Sequence, residues 1–313
     1  MKNAQRLAFA TAVLTVVLIG LGTFVRASGA GLGCPDWPTC HGGIVPPSDR
    51  LALIESSHRF VAAAVGVMVI ATAVAAWRYY RHSPFTVWTA FATVPLVGFQ
   101  GILGAITVIR ELPPEIVATH LVTAMLVLLC QLGVAWSMYR EDPARRAPSA
   151  AERERGRQVA ILAVVALLWL AVTFWVGGYM AESGAATACE GWPTCNGSLL
   201  PANDHQEITH MAHRYLAGGA VLILLPYFLA SFRRAQGVWW ARPVAAGTLV
   251  FYVAQVVVGA LNVWYTFPDP LTVAHTAIAA CIWFGLSTSA VLGLYRPIAE
   301  RAGAAPLAGR VPA

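Results

Sequence analysis

The chain has 313 residues, of which 58% are hydrophobic and 12% charged, with a mean hydropathy of +0.63. A soluble domain carries about a quarter charged residues, so this composition excludes a soluble globular fold and makes the bilayer the solvent. The net charge is +6, but the basic residues fall between apolar runs, not in the clustered stripe that nucleic-acid binding requires. No nucleic-acid partner is expected.

Eight apolar runs are long enough to cross a membrane as helices of about 20 residues, and they lack the period-2 alternation of barrel strands. The first, 7–27, follows Lys2 and Arg6 and ends before an outer loop that reads GCPDWPTCHG at 33–42. Its basic start imitates a signal peptide, but a matching run at 159–180 is internal and is no cleaved leader. The second run, 52–77, opens on ESSHR at 55–59. The third is 86–108, and the fourth, 115–139, carries His120 near its start. A polar segment, 140–158, holds six arginines. After 159–180 comes a second loop, ACEGWPTCNG at 188–197. The sixth run, 206–231, opens on HMAHR at 210–214. Runs at 240–264 and 271–295 follow, the last with His275 near its start.

Sixteen basic residues lie at one set of helix ends: Lys2, Arg6, Arg78, Arg81, the six of 140–158, Arg233, Arg234, Arg242, Arg296, Arg301 and Arg310. Only Arg26, Arg50 and Arg110 lie at the other. The positive-inside rule predicts cytoplasmic termini, a cytoplasmic 140–158 linker and cysteine loops on the extracytoplasmic side of the cell membrane.

The two loops belong to an internal repeat, sought before any motif is trusted. At a constant offset of 155, Cys34 and Cys40 meet Cys189 and Cys195, and Gly22 meets Gly177. His58-Arg59 meets His213-Arg214, Gln100 meets Gln255, Gly104 meets Gly259 and His120 meets His275. The predicted fold is therefore an all-α integral membrane protein of eight transmembrane helices in two tandem pseudo-symmetric four-helix bundles. Its units are 1–139, the linker 140–158, and 159–313. Four spans per unit make the repeats parallel, not inverted.

His58, His120, His213 and His275 are ionisable groups within apolar runs, where such residues are costly and functional. The bland alternative is a histidine donating to a carbonyl of a neighbouring helix. Zinc prefers more ligands than a pair supplies, whereas haem iron needs two axial ligands and a bundle offers an apolar slot. Arg59 and Arg214 beside the ligands suit haem propionates, or snorkel to the interface. The halves differ three residues before the first ligand, where one has Glu55 and the other His210. Glu55 shares a helix face with His58, which suits proton transfer; the alternative is a favourable contact with the helix dipole. Cys130 and Cys281 do not correspond and read as small buried residues, and His41, His82 and His205 as loop residues.

ESSHR, HMAHR, the later histidines and the two outer cysteine pairs together resemble the haem A synthase family, in its cysteine-bearing bacterial form, over roughly residues 7 to 295. The resemblance implies a membrane oxidoreductase that converts a peripheral methyl of haem O, stepwise through an alcohol, to the formyl of haem A for haem-copper oxidases. It implies haem b held by His213 and His275, substrate haem O between His58 and His120, and a catalytic Glu55. Partners would be membrane lipid, an unidentified electron donor and a haem O synthase. A dihaem electron-transfer cytochrome and a membrane thiol–disulfide oxidoreductase are the rival readings.

The outer cysteines face a compartment where disulfides persist. Each loop can close its own ring, as Cys34–Cys40 and Cys189–Cys195. A four-cysteine zinc site fits the count, but its usual spacing is tighter.

Overall fold

The computed structural model describes residues 2–142 and 146–298; Arg145, Arg301 and Arg310 of the orientation count lie outside them. Eight helices long and apolar enough to span a membrane are present among the described residues. They are α1 (Lys2–Ala27), α2 (Arg50–Tyr79), α3 (Pro84–Ile109), α4 (Pro114–Arg140), α5 (Ala150–Glu182), α6 (His205–Leu229), α7 (Ala241–Trp264) and α8 (Asp269–Leu294). A π-turn, Ala230–Arg234, prolongs α6 just beyond Pro226. Pairing of extended backbone is confined, among these residues, to two isolated bridges in the cysteine loops.

Every expected span is a helix, and most reach past the apolar run that announced them. The largest difference is α5, which starts nine residues before 159, so much of the expected linker is helical. Ser149 caps it: its hydroxyl accepts from Glu152 N–H while the Glu152 carboxylate accepts from Ser149 N–H, a capping box that satisfies two orphan donors. Glu154 pairs with Arg157 at 3.1 Å one turn later. Local polar bonds thus extend the helix beyond the reach of hydropathy. His205, expected in a loop, is the first residue of α6. Cys130 and Cys281 are half-buried, not buried, and unpaired with other cysteines.

Helices α1, α4, α5 and α8 form the centre. α1 packs on α2, α4 and α8; α5 packs on α4, α6 and α8. Helices α3 and α7 are outermost and present large apolar side chains such as Trp88 and Val250 outward, as a lipid-facing surface does. Trp136 Nε1 donates to Thr288 Oγ1 at 3.0 Å, and Trp283 Nε1 donates to the Met125 carbonyl at 2.7 Å. These bonds tie α4 to α8. Arg26 and Glu182 pair at 3.3 Å between α1 and α5, so a basic residue on the sparsely charged side has a partner. Local geometry recurs at the 155 offset. Trp37–Pro38 and Trp192–Pro193 are both cis, 3-10 turns occupy Ala30–Leu32 and Ala185–Thr187, and the bridges are Cys40 with Gly43 and Cys195 with Ser198.

Close approach of α5 and α8 depends on Gly293. A Cβ there would lie 2.6 Å from Ala160 Cβ and collide with the Gly156 carbonyl oxygen, whereas one at Gly20 would meet only Ala277 Cβ at 3.8 Å. Overpacking of this kind costs about 1–3 kcal/mol. We expect Gly293→Ala to lower the midpoint of thermal unfolding in detergent by several degrees and Gly20→Ala to leave it unchanged or raised; equal midpoints would contradict the packing assigned to Gly293.

Candidate functional site

Each repeated histidine stands about two turns inside its helix. His58 and His213 are the ninth residues of α2 and α6, about 12 Å from the helix start; His120 and His275 are the seventh of α4 and α8, about 9 Å in. Each imidazole lies against a glycine of a neighbouring helix. A Cβ at Gly22 would stand 3.0 Å from His58 Cε1, and one at Gly177 would stand 2.7 Å from His213 Cε1. The corresponding distances are 3.4 Å for Gly104 with His120 and 3.1 Å for Gly259 with His275. Even a methyl group at Gly177 would therefore displace the ring. These glycines are in the repeat, but nothing in residue type alone announced them as seats for imidazoles.

The rings of His213 and His275 face each other with centroids 6.5 Å apart and planes inclined at 68°. His213 Nδ1 lies 3.2 Å from the Thr173 carbonyl. As donor there, it leaves the Nε2 lone pair available, the arrangement by which a partner fixes the tautomer of a metal-binding histidine. The Gln255 amide nitrogen lies 3.1 Å from His275 Nε2, and Gln100 donates to the His120 carbonyl at 2.7 Å. Nδ1 of His58, His120 and His275 is buried without a partner. Buried polar atoms are normally satisfied, so three orphaned imidazole nitrogens mark a site that a ligand completes. Two imidazoles on one metal, at about 2 Å per bond and about 1 Å from nitrogen to ring centre, set ring centres about 6 Å apart. The donor set fits iron with two axial imidazoles. No cluster of three or more His, Cys, Asp or Glu able to hold a metal ion occurs among the described residues.

Above the histidines the loops close on the helices. Cys34–Cys40 and Cys189–Cys195 are both disulfides, each closing a ring worth about 2 kcal/mol in the chain-entropy account. Zinc is thereby excluded in this state of the loops. Arg59 donates to the Asp36 carbonyl at 2.8 Å, the Thr39 carbonyl at 2.6 Å and the Cys34 carbonyl at 3.3 Å. Arg214 donates to the carbonyls of Gly191, Pro193 and Thr194. Both arginines thus clamp a loop through its backbone, a role that neither propionate binding nor snorkelling had suggested.

The Glu55/His210 difference changes how each loop is held to the helix below it. Glu55 is 4% exposed; its Oε2 accepts from Cys34 N–H at 2.7 Å and its Oε1 pairs with Arg59 at 2.5 Å. His210 is 2% exposed, and its Nδ1 lies 3.0 Å from the Ala185 carbonyl. One loop is thus held by a carboxylate acceptor and the other through an imidazole. Ser56 adds a hydroxyl 3.3 Å from Cys34 Sγ, where the second half has the apolar Met211. In the first loop Asp36 accepts from the Thr39 hydroxyl and from His41 and Gly42 N–H. These bonds, led by Thr39, hold its carboxyl below its ordinary value of 3.8. His41 is exposed and its Nε2 lies 3.1 Å from the Gly33 carbonyl.

Comparison with known proteins gives one consistent result. The model of the COX15-CtaA family, described as cytochrome oxidase assembly protein, matches residues 5–286. A heme A synthase of Symbiobacterium thermophilum is 31% identical over 92% of this chain and 94% of its own. Heme A synthases of Alkalihalophilus pseudofirmus, 27% identical over 88% of the chain and 93% of its own, and Shouchella clausii, 32% identical over 73% and 76%, are similar too.

Two outcomes test the clamp. Arg59→Gln should speed amide hydrogen exchange at residues 34–43 by at least tenfold and leave 189–198 unchanged, with Arg214→Gln doing the reverse; unaltered exchange would show that the carbonyl bonds do not order the loops. Asp36 has a depressed pKa, so its contribution is present above its unfolded value and lost as pH falls through the folded one. Protection of the amides at 36–43, taken relative to their intrinsic exchange rates, should therefore fall below about pH 4, and Asp36→Asn should abolish that acid dependence.

Proposed function

Because the chain belongs to the COX15-CtaA family of cytochrome oxidase assembly proteins, we propose that it acts as a haem A synthase in the cell membrane. The reaction is the stepwise oxidation of one peripheral methyl of haem O, through an alcohol, to the formyl of haem A, with molecular oxygen as oxidant and a separate electron donor supplying the reducing equivalents. The observation that carries this reading is the facing pair His213 and His275, each seated on a glycine, within a chain matched almost end to end by that family.

In this proposal the two sequence repeats are pseudo-symmetric four-helix bundles, residues 1–139 and 159–313, with both termini cytoplasmic and both disulfide loops outside. His213 and His275 hold haem b, which supplies one-electron chemistry when bound. Thr173 keeps the His213 tautomer that leaves Nε2 free for iron. His58 and His120 take substrate haem O. Glu55 stands one helical turn above His58. Its carboxylate holds or passes a proton at the reacting edge of the substrate, and Arg59 and Cys34 N–H fix its orientation. The loop above excludes water while the substrate is oxidised. The break at Glu55 and His210 supports this division, because a symmetric electron conduit needs no carboxylate in one half alone. A haem O synthase docked alongside would deliver the substrate.

Expressed with a source of haem O, oxygen and reductant, the protein should accumulate haem A or its hydroxylated intermediate, identified by mass after extraction. Folded protein that yields haem O alone would return the chain to the reading of a dihaem cytochrome. His213→Ala should lose the Soret absorbance of haem b, and Glu55→Ala should keep that absorbance and stop turnover. Full activity in Glu55→Ala would leave Glu55 only its bond to the loop. Cys34→Ala should abolish activity and Cys189→Ala chiefly lower stability; equal effects would remove any special role for the first disulfide.

A further inference from the structure

At the end of the bundle opposite the cysteine loops lies a cavity of about 410 Å³ that the haem chemistry does not use. That volume is in the range of small-ligand sites. Its wall carries five arginines, Arg140, Arg146, Arg153, Arg157 and Arg296, against one carboxylate, Glu152. Glu152 is already committed: it accepts from Arg146 at 2.7 Å and from Ser149 N–H at 2.7 Å. Glu154 faces Arg157 from outside the cavity wall. Glu141, close by, is turned to the Tyr295 hydroxyl and His82. Arg153 donates to the Pro148 carbonyl at 2.8 Å, and arginines outnumber carboxylates along the cavity wall.

The opposite wall is aromatic and apolar. Tyr139 and Trp239 lie with ring centroids 6.0 Å apart, Trp239 is 54% exposed at the rim and Trp240 is buried, and Leu292 and Leu294 of α8 line the wall beside them. The level in the membrane follows from helix length. Arg153 stands six residues before Val159, where α5 becomes apolar, or about 9 Å along the axis. Arg157, two residues before Val159, is about 3 Å along it. The headgroup layer beside the hydrocarbon is about 5–8 Å deep, so the cavity runs from headgroup depth at Arg157, where Trp and Tyr concentrate, to its watery edge at Arg153.

The cavity also breaks the repeat. At the 155 offset Arg157 meets Lys2, Arg296 meets Glu141 and Trp239 meets Pro84. Two wall positions, Arg296 and Trp239, thus change character between the halves, which sets the cavity apart from the duplicated histidine frame.

We propose that this cavity binds the phosphate headgroup of an anionic phospholipid. Arg153 and Arg157 donate to the phosphate oxygens, a pairing for which guanidinium geometry is suited, and Trp239 lies along the junction of headgroup and acyl chain. Basic pockets between transmembrane helices bind anionic headgroups by this combination. The shared chemistry with soluble phosphate is the oxyanion; the apolar wall and the depth favour the lipid.

The test uses the full-length protein, reconstituted with phosphatidylglycerol or phosphatidylcholine and released for native mass spectrometry. We expect one phosphatidylglycerol to persist on the protein and phosphatidylcholine not to. R153Q/R157Q should weaken retention at least tenfold, while R233Q/R234Q, with the same loss of charge at exposed positions after α6, should retain the lipid. Circular dichroism and the unfolding midpoint establish that each variant is folded; single R153Q, at an exposed position, serves if the double variant is not. Equal retention of the two lipids, or equal loss in the two double variants, would overturn the site. Displacement of phosphatidylglycerol by millimolar inorganic phosphate would overturn the assignment to lipid and make the occupant a soluble anion.

Discussion

An imidazole carried by one helix can press its edge against the backbone of the next where that helix has no side chain. Four glycines, Gly22, Gly104, Gly177 and Gly259, meet that condition, and each faces one of the four repeated histidines. The helices can then approach closely, which packing in lipid favours, and three of the ring nitrogens, Nδ1 of His58, His120 and His275, are left buried without protein partners. Most of what is chemically unusual about the chain follows. The orphaned Nδ1 atoms of His58, His120 and His275, and the 6.5 Å separation of His213 and His275, are costs in a closed core and assets in a site that receives a flat iron-bearing ligand.

The loops add a second constraint. A ring closed by a disulfide is compact but not anchored. Anchoring comes from below, from Arg59 and Arg214, whose guanidinium groups each reach up to three loop carbonyls. In the first half the same guanidinium also orients Glu55, so the carboxylate, the helix and the lid form one unit. In the second half His210 bonds to a carbonyl instead. The duplicated frame is thus kept while the buried group beneath each loop differs, a carboxylate in one half and an imidazole in the other.

Much of this was legible in the sequence because lipid makes hydropathy a direct readout of helices. Without water, each span must satisfy its own backbone, so an apolar run of the right length has one structural outcome. The histidines and cysteines were legible because duplication at a constant offset singles them out from chance. Three features were not. The start of α5 at Ala150 depends on a capping box and ion pairs, which hydropathy does not register. The roles of the glycines depend on what faces them. The targets of Arg59 and Arg214 are backbone carbonyls, which every residue type possesses. The family match over residues 5–286 agrees with the resemblance carried by ESSHR, HMAHR and the paired cysteines.

The clamp on the loops has a consequence for how such a lid can change over time. Arg59 and Arg214 recognise the path of the chain and not its side chains. A loop residue such as Thr39 or Thr194 can be exchanged for another without loss of the bond made to its carbonyl, provided the backbone keeps its course. The cover over the site is therefore free to diversify in its outward surface, and with it in whatever it meets outside, while the enclosure beneath stays closed.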